Sequence, residues 1–251
     1  MPQLIVDNLA VQYADSGEGP VVLMLHGWGA SLGSFDSLVA AIAKTHRVVR
    51  LDFPGFGGSQ LPNRVWGIPE YSALVTDFCS KLGILPTVLL GHSMGGQVAI
   101  YLAANGLIKP KKLVLIGASG VRNARAVGQR LTLLLAKSGK WVTRPFPAIA
   151  RKLRAGLYTA NGNPEYAASS PALAANYRRV ITEDQRANAA RLHLPTLLLW
   201  GKNDLDAPLP NAYILHELIE HSRIEVLPNA GHFVFLDKPA EAAKLISAFI
   251  A

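Results

Sequence analysis

The sequence predicts an α/β fold, with one mostly parallel central sheet flanked by helices. Three observations carry this. Short runs rich in Val, Leu and Ile recur along the chain. Stretches of helical periodicity separate them. The 251 residues, half of them apolar, fill one core without requiring a second.

Taken in order, Leu4 to Asp7 and Ala10 to Tyr13 read as an antiparallel edge with its turn at Asp7-Asn8. Val21 to His26, Arg47 to Asp52, Thr87 to Gly91, Lys112 to Gly117, Pro195 to Gly201 and Arg223 to Leu227 are short continuous apolar runs, the pattern of strands buried on both faces. Amphipathic helices are expected over Ser34 to Lys44, Tyr71 to Leu82, Met94 to Asn105, Pro210 to Glu220 and Pro239 to Phe249. Such alternation implies right-handed crossovers between parallel strands.

The alternation breaks once, after Gly117, where about 75 residues of helix and loop character precede the next strand. Residues 1–120 and 195–251 are therefore expected to form the core domain, and residues 121–194 an inserted helical cap, or lid. The insert also holds the charge. The net charge is +8, yet residues 121–194 contain thirteen basic residues against three acids, so the remainder is slightly acidic. Leu131 to Ala136 followed by Lys137, Lys140 and Trp141, then Arg151-Lys152-Leu153-Arg154, mixes apolar and basic residues as interfacial helices do. An anionic substrate, carrier or lipid surface is the partner class this suggests; a plain solvated surface is the simpler reading. No nucleic-acid-binding module accompanies the charge, so no nucleic acid partner is expected.

Composition excludes other classes. Only 17 % of residues are charged, and the 22 glycines and 16 prolines are scattered, which is not the profile of a disordered or fibrous chain. Cys79 is the single cysteine, so there is no internal disulfide and no cysteine metal spacing. The start, Met1 to Asp7, lacks a basic leader, and no apolar run approaches the roughly 20 residues of a transmembrane segment. A soluble, cytoplasmic protein is the expectation.

The chemistry is concentrated at Gly91-His92-Ser93-Met94-Gly95-Gly96. This G-x-S-x-G follows an expected buried strand and opens an expected helix, the context in which the motif lifts a serine hydroxyl out of a sharp turn. Ser93 is thus the candidate nucleophile.

With these residues in place, the chain resembles the α/β-hydrolase superfamily from about Leu4 to the C-terminus. The resemblance implies a serine hydrolase. His26-Gly27-Trp28-Gly29 is similar to the family's loop after an early strand, which implies that the backbone N–H groups of Trp28 and Met94 form the oxyanion hole, with His26 structural. Asp52, in Asp52-Phe53-Pro54-Gly55-Phe56-Gly57-Gly58-Ser59, corresponds to a segment that shapes the floor of the site. The family's acid stands just past a late strand, where this chain has Asp204; Asp206, two residues on, is the competing candidate. The family's histidine corresponds to His232 in Asn229-Ala230-Gly231-His232-Phe233. The order Ser93, Asp204, His232 is the order this fold uses. His46, His92, His193, His216 and His221 are expected in solvated or packed roles, with the side chain of His92 directed away from Ser93.

The resemblance thereby implies hydrolysis of small-molecule acyl esters through an acyl-enzyme, with no cofactor and no metal. A serine at the elbow argues against the carboxylate-nucleophile chemistries of the fold. Fold does not fix substrate, so a carbon-carbon bond hydrolase of ring-cleavage products and an acyl-thioesterase or acyltransferase stay open, with a non-catalytic binding protein last.

Overall fold

The computed structural model describes residues 1–122 and 173–251. Among these, eight strands form a single sheet: β1 (Gln3–Val6), β2 (Leu9–Ser16), β3 (Val21–Leu25), β4 (Arg47–Leu51), β5 (Pro86–His92), β6 (Lys112–Ile116), β7 (Thr196–Gly201) and β8 (Ser222–Leu227), in the order β1-β2-β4-β3-β5-β6-β7-β8. Pairings of β1 with β2 and of β2 with β4 are antiparallel, and every later pairing is parallel. The first turn falls where expected. Asp7 and Asn8 take φ of 48° and 60°, the left-handed pair of a tight hairpin, which Asp and Asn tolerate better than other non-glycine residues.

The parallel strands inside the sheet are buried because consecutive residues enter two different cores, as a period of two demands. Leu23, Leu25, Leu113, Leu115, Leu198 and Trp200 face one side. There they meet α2 (Ile68–Leu82), α3 (Met94–Ala104) and a helix at Pro210–Leu218. Val22, Met24, Val114, Ile116, Leu197 and Leu199 face the other, against α1 (Asp36–Ile42) and the C-terminal helix Pro239–Ile250. Truncating a leucine of either set to alanine costs about 2–5 kcal/mol in such cores.

Two expectations are corrected. Strand β8 is not buried on both faces: it closes the edge of the sheet, and none of its residues is fully buried. Helix α3 is not amphipathic, because it lies between the sheet and α2 and buries nearly every side from Met94 to Leu102. The stretch before β7 contains two short helices, Ala174–Val180 and Arg186–Ala189, and it packs into the larger core through Leu173, Tyr177, Val180, Ala189 and Leu192. Among the described residues no helix is long and apolar enough to cross a membrane.

Candidate active site

Trp28, Ser93, Asp204 and His232 lie in segments that follow the carboxyl ends of β3, β5, β7 and β8. That edge is where parallel sheets place their ligands, since each strand there releases a loop toward one crevice.

Ser93 joins β5 directly to α3 with φ 52° and ψ −115°, a left-handed conformation that a non-glycine residue holds only when its surroundings enforce it. The enforcement comes from the backbone. The Ser93 N–H donates to the Ile116 carbonyl (3.1 Å), and the Ser93 carbonyl accepts from the N–H groups of Gly96 (3.0 Å) and Ser119 (3.2 Å). Close approach explains the next glycine: a Cβ on Gly95 would collide with the carbonyl of Leu25. Met94, the first residue of α3, has one of the N–H groups that a helix cannot satisfy internally.

The loop after β3 lies against the elbow, since a Cβ on Gly27 would be 3.1 Å from that of Ser93. His26 holds this loop. Its Nε2 accepts from the Phe53 N–H (2.9 Å), so its Nδ1 carries the proton donated to the Gly27 carbonyl (2.7 Å). Burial lowers the pKa of His26, which suits that neutral tautomer. Asp52 ties the same region together by accepting from the N–H groups of Leu32 (2.6 Å) and Gly58 (2.9 Å) and from the Gln12 amide (3.2 Å). The Trp28 indole is buried edge-on to Phe56, 4.8 Å between centroids, and 5.1 Å from Tyr177, an apolar aromatic wall beside the elbow.

Asp204 and His232 come together. The His232 Nδ1 lies 2.8 Å from Asp204 Oδ2, and both residues are buried. Oδ1 of Asp204 accepts from the N–H groups of Asp206 (3.0 Å) and Ala207 (2.8 Å). The Trp200 indole N–H, donating to the Ala207 carbonyl at 2.7 Å, anchors that turn to β7. Asp206 itself is exposed and serves the site through its backbone. Asp204, Asp206 and His232 place ligand atoms within 4.8 Å of one another. A cation there would compete with the hydrogen bonds already made to both Asp204 oxygens.

His92 takes the packed role expected of it, with a partner that the sequence does not show. The imidazole is buried as a packed role requires, but it is engaged with the site: its Nε2 donates to the His232 carbonyl at 3.1 Å, and its ring lies 4.6 Å from that of His232. Adjacency to Ser93 was the only sequence signal for this.

Of the thirteen basic residues in 121–194, the eight from Arg125 to Arg154 lie outside the described residues, as do Leu131 to Ala136 and Trp141. Several of the rest bind locally. Arg179 pairs with Glu70 (2.9 Å) and Glu183 (3.5 Å), and Arg186 pairs with Asp184 (2.6 Å).

Comparison with known proteins gives a consistent picture. Residues 20–239 match a family model described as alpha/beta hydrolase fold. A pimeloyl-(acyl-carrier protein) methyl ester esterase of Aeromonas hydrophila is 29% identical, the match covering 96% of this chain and 100% of the relative. Monoacylglycerol lipase ABHD6 of Rattus norvegicus is also 29% identical, over 94% of this chain and 76% of the relative. Among solved structures, an esterase from Exiguobacterium antarcticum superposes with a TM-score of 0.78 at 25% identity over 99% of both chains.

Proposed function

The chain belongs to the α/β-hydrolase family, and from that premise we propose that it is a serine hydrolase cleaving carboxylic esters, with Ser93, His232 and Asp204 as its triad. The observation that carries the reading is the Asp204–His232 hydrogen bond at the same edge of the sheet as a serine held at positive φ.

Asp204 accepts the Nδ1 proton of His232, which leaves Nε2 as the basic nitrogen. His232 takes the proton of Ser93 as the hydroxyl attacks the acyl carbon. The N–H groups of Trp28 and Met94 receive the oxyanion, a role for which one donor typically contributes about 3 kcal/mol in the transition state. His232 then protonates the departing alcohol and activates the water that releases the acid. Asp52 and His26 take no part in proton transfer, because their hydrogen bonds are spent on holding the surrounding loops.

The aromatic wall of Trp28, Phe56 and Tyr177 supports an apolar acyl group of short to medium length. Esterase and lipase relatives that this chain matches over nearly its whole length support an ester over a carbon-carbon bond. Residues 121–194 act as the cap in this reading. Its support is that Tyr177 reaches Trp28, and that a Cβ on Gly55 would meet Leu173 at 2.7 Å.

The test is turnover of p-nitrophenyl butyrate together with labelling by a fluorophosphonate. Ser93→Ala should lose at least about 10³-fold in kcat and all labelling while keeping its melting temperature. Full activity in that variant would refute the assignment.

A further inference from the structure

His92 meets three of the loops that build the site. It precedes Ser93 in the elbow; a Cβ on Gly27 would lie 2.9 Å from its Nδ1; and its Nε2 donates to the carbonyl of His232, 140 residues away in sequence. The ring is 1% exposed and packs on His232, on Phe233 (4.8 Å between centroids) and on Phe235 (5.1 Å).

We propose that His92 is a positioning residue for the hydrolysis: its Nε2–H holds the backbone of His232 while Asp204 holds the ring, so that the general base is fixed at both ends. The proposal rests on the triad assignment above.

Packing alone does not account for an imidazole here. The pocket is lined by Phe233 and Phe235, and a phenylalanine would fill it without burying polar atoms. His92 instead buries Nδ1 with no hydrogen-bond partner among the described residues, a cost with no structural return at that atom. The return comes at Nε2. A carbonyl can only accept, so Nε2 carries the proton, and the neutral ring has one usable tautomer.

The same geometry keeps His92 uncharged. A second proton, on Nδ1, would point at Gly27 and bring a positive charge beside the imidazole that must take up the serine's proton. The titratable groups facing it are His232, from the loop after β8, and His26, from the loop after β3. Burial first, and then those two rings, hold its pKa well below the usual imidazole range. The clamp therefore donates its hydrogen bond without competing for the proton in transit.

Four proteins decide the matter: wild type, Ser93→Ala, His92→Phe and His92→Gln. Phenylalanine keeps the ring and removes the donor, whereas glutamine places an amide N–H near the position of Nε2. For His92→Phe, kcat should fall about 10- to 100-fold with little change in KM, as misplacing a reacting group does. Fluorophosphonate labelling should slow by the same factor. The acid limb of its pH profile should move to lower pH, because a displaced His232 loses the Asp204 carboxylate that favours its charged form. His92→Gln should retain most of the turnover and the original limb. In the ¹⁵N spectrum of the wild-type histidines, His92 should hold the neutral Nε2–H tautomer from about pH 5 to 8, the range in which a histidine normally titrates. This last measurement needs no variant to fold.

Wild-type kcat and pH limb in His92→Phe would overturn the clamp, as would equal losses in both variants tracking a common fall in melting temperature. A charged or Nδ1-protonated His92 would overturn it too. Full activity in Ser93→Ala would instead refute the triad, and the clamp with it.

Discussion

A methyl group on Gly117 would sit 3.1 Å from Nδ1 of His232 and 3.0 Å from Oδ2 of Asp204, pressed against the 2.8 Å contact those two atoms make with each other. Gly117 directly follows β6 with φ 48°, and its N–H donates to the Leu199 carbonyl, which holds it beside the imidazole.

Gly117→Ala is therefore expected to act on chemistry and stability together. Crowding the Asp204–His232 bond should lower kcat at least about tenfold, and the positive φ should destabilise the fold by about 1–2 kcal/mol. Gly83→Ala is the control. Its φ is 67°, but a Cβ there meets nothing within 4 Å, so it should share the backbone penalty and leave turnover intact. Equal kcat in both variants would show that the space beside His232 has no catalytic weight.

The two aspartates should separate cleanly. Asp204→Asn puts an amide against Nδ1 of His232 and against two backbone N–H donors, and should lower kcat at least about 10²-fold by admitting the wrong tautomer. Asp206→Asn keeps the backbone N–H that Asp204 uses and should stay within about threefold of wild type, since an exposed substitution of this kind changes little. Equal or reversed kcat values would transfer the acid's role to Asp206.

Stability should fall with pH before any loss from the carboxylates. Burial holds His26 and His92 below the ordinary imidazole value of 6.5, so the unfolded chain binds protons there that the folded one refuses. Their contribution is intact above 6.5 and is lost as pH drops below it, at up to about 1.4 kcal/mol per pH unit for each ring. At the other end, burial pushes the Cys79 thiol and the Tyr71 hydroxyl up to about 12, so stability declines as pH climbs above their ordinary values of 9.0 and 10.0. Urea unfolding should show a plateau between these limits and a decline by about pH 5.5, with a shallower acid slope in His92→Gln. A flat curve from about pH 5.5 to 7.5 would contradict the buried neutral rings.

Much of this molecule was legible along the chain. Apolar runs record their own burial, so the strands were readable, and the positive φ at Asp7-Asn8 and the elbow around Ser93 are local demands met by local residues. Ser93 stood out because it sits in a tight glycine-flanked turn at a strand's end, whereas Asp204 and His232 became candidates through the resemblance to the family. Other features depend on which strand lies beside which. Strand β8 reads as apolar, yet its exposure follows from its place at the edge of the sheet. Arg179 reads as one cation among thirteen, yet it closes on Glu70 at the start of α2. His92 reads as a neighbour of the nucleophile, but its partner is a carbonyl 140 residues on, delivered by the sheet order β5-β6-β7-β8. The sequence by itself determined the strands and the elbow, because those are properties of short segments. Only the tertiary structure decided which buried polar groups meet, because a hydrogen bond of about 3 Å between distant loops is set by the packing of the whole sheet and leaves no pattern in either segment alone.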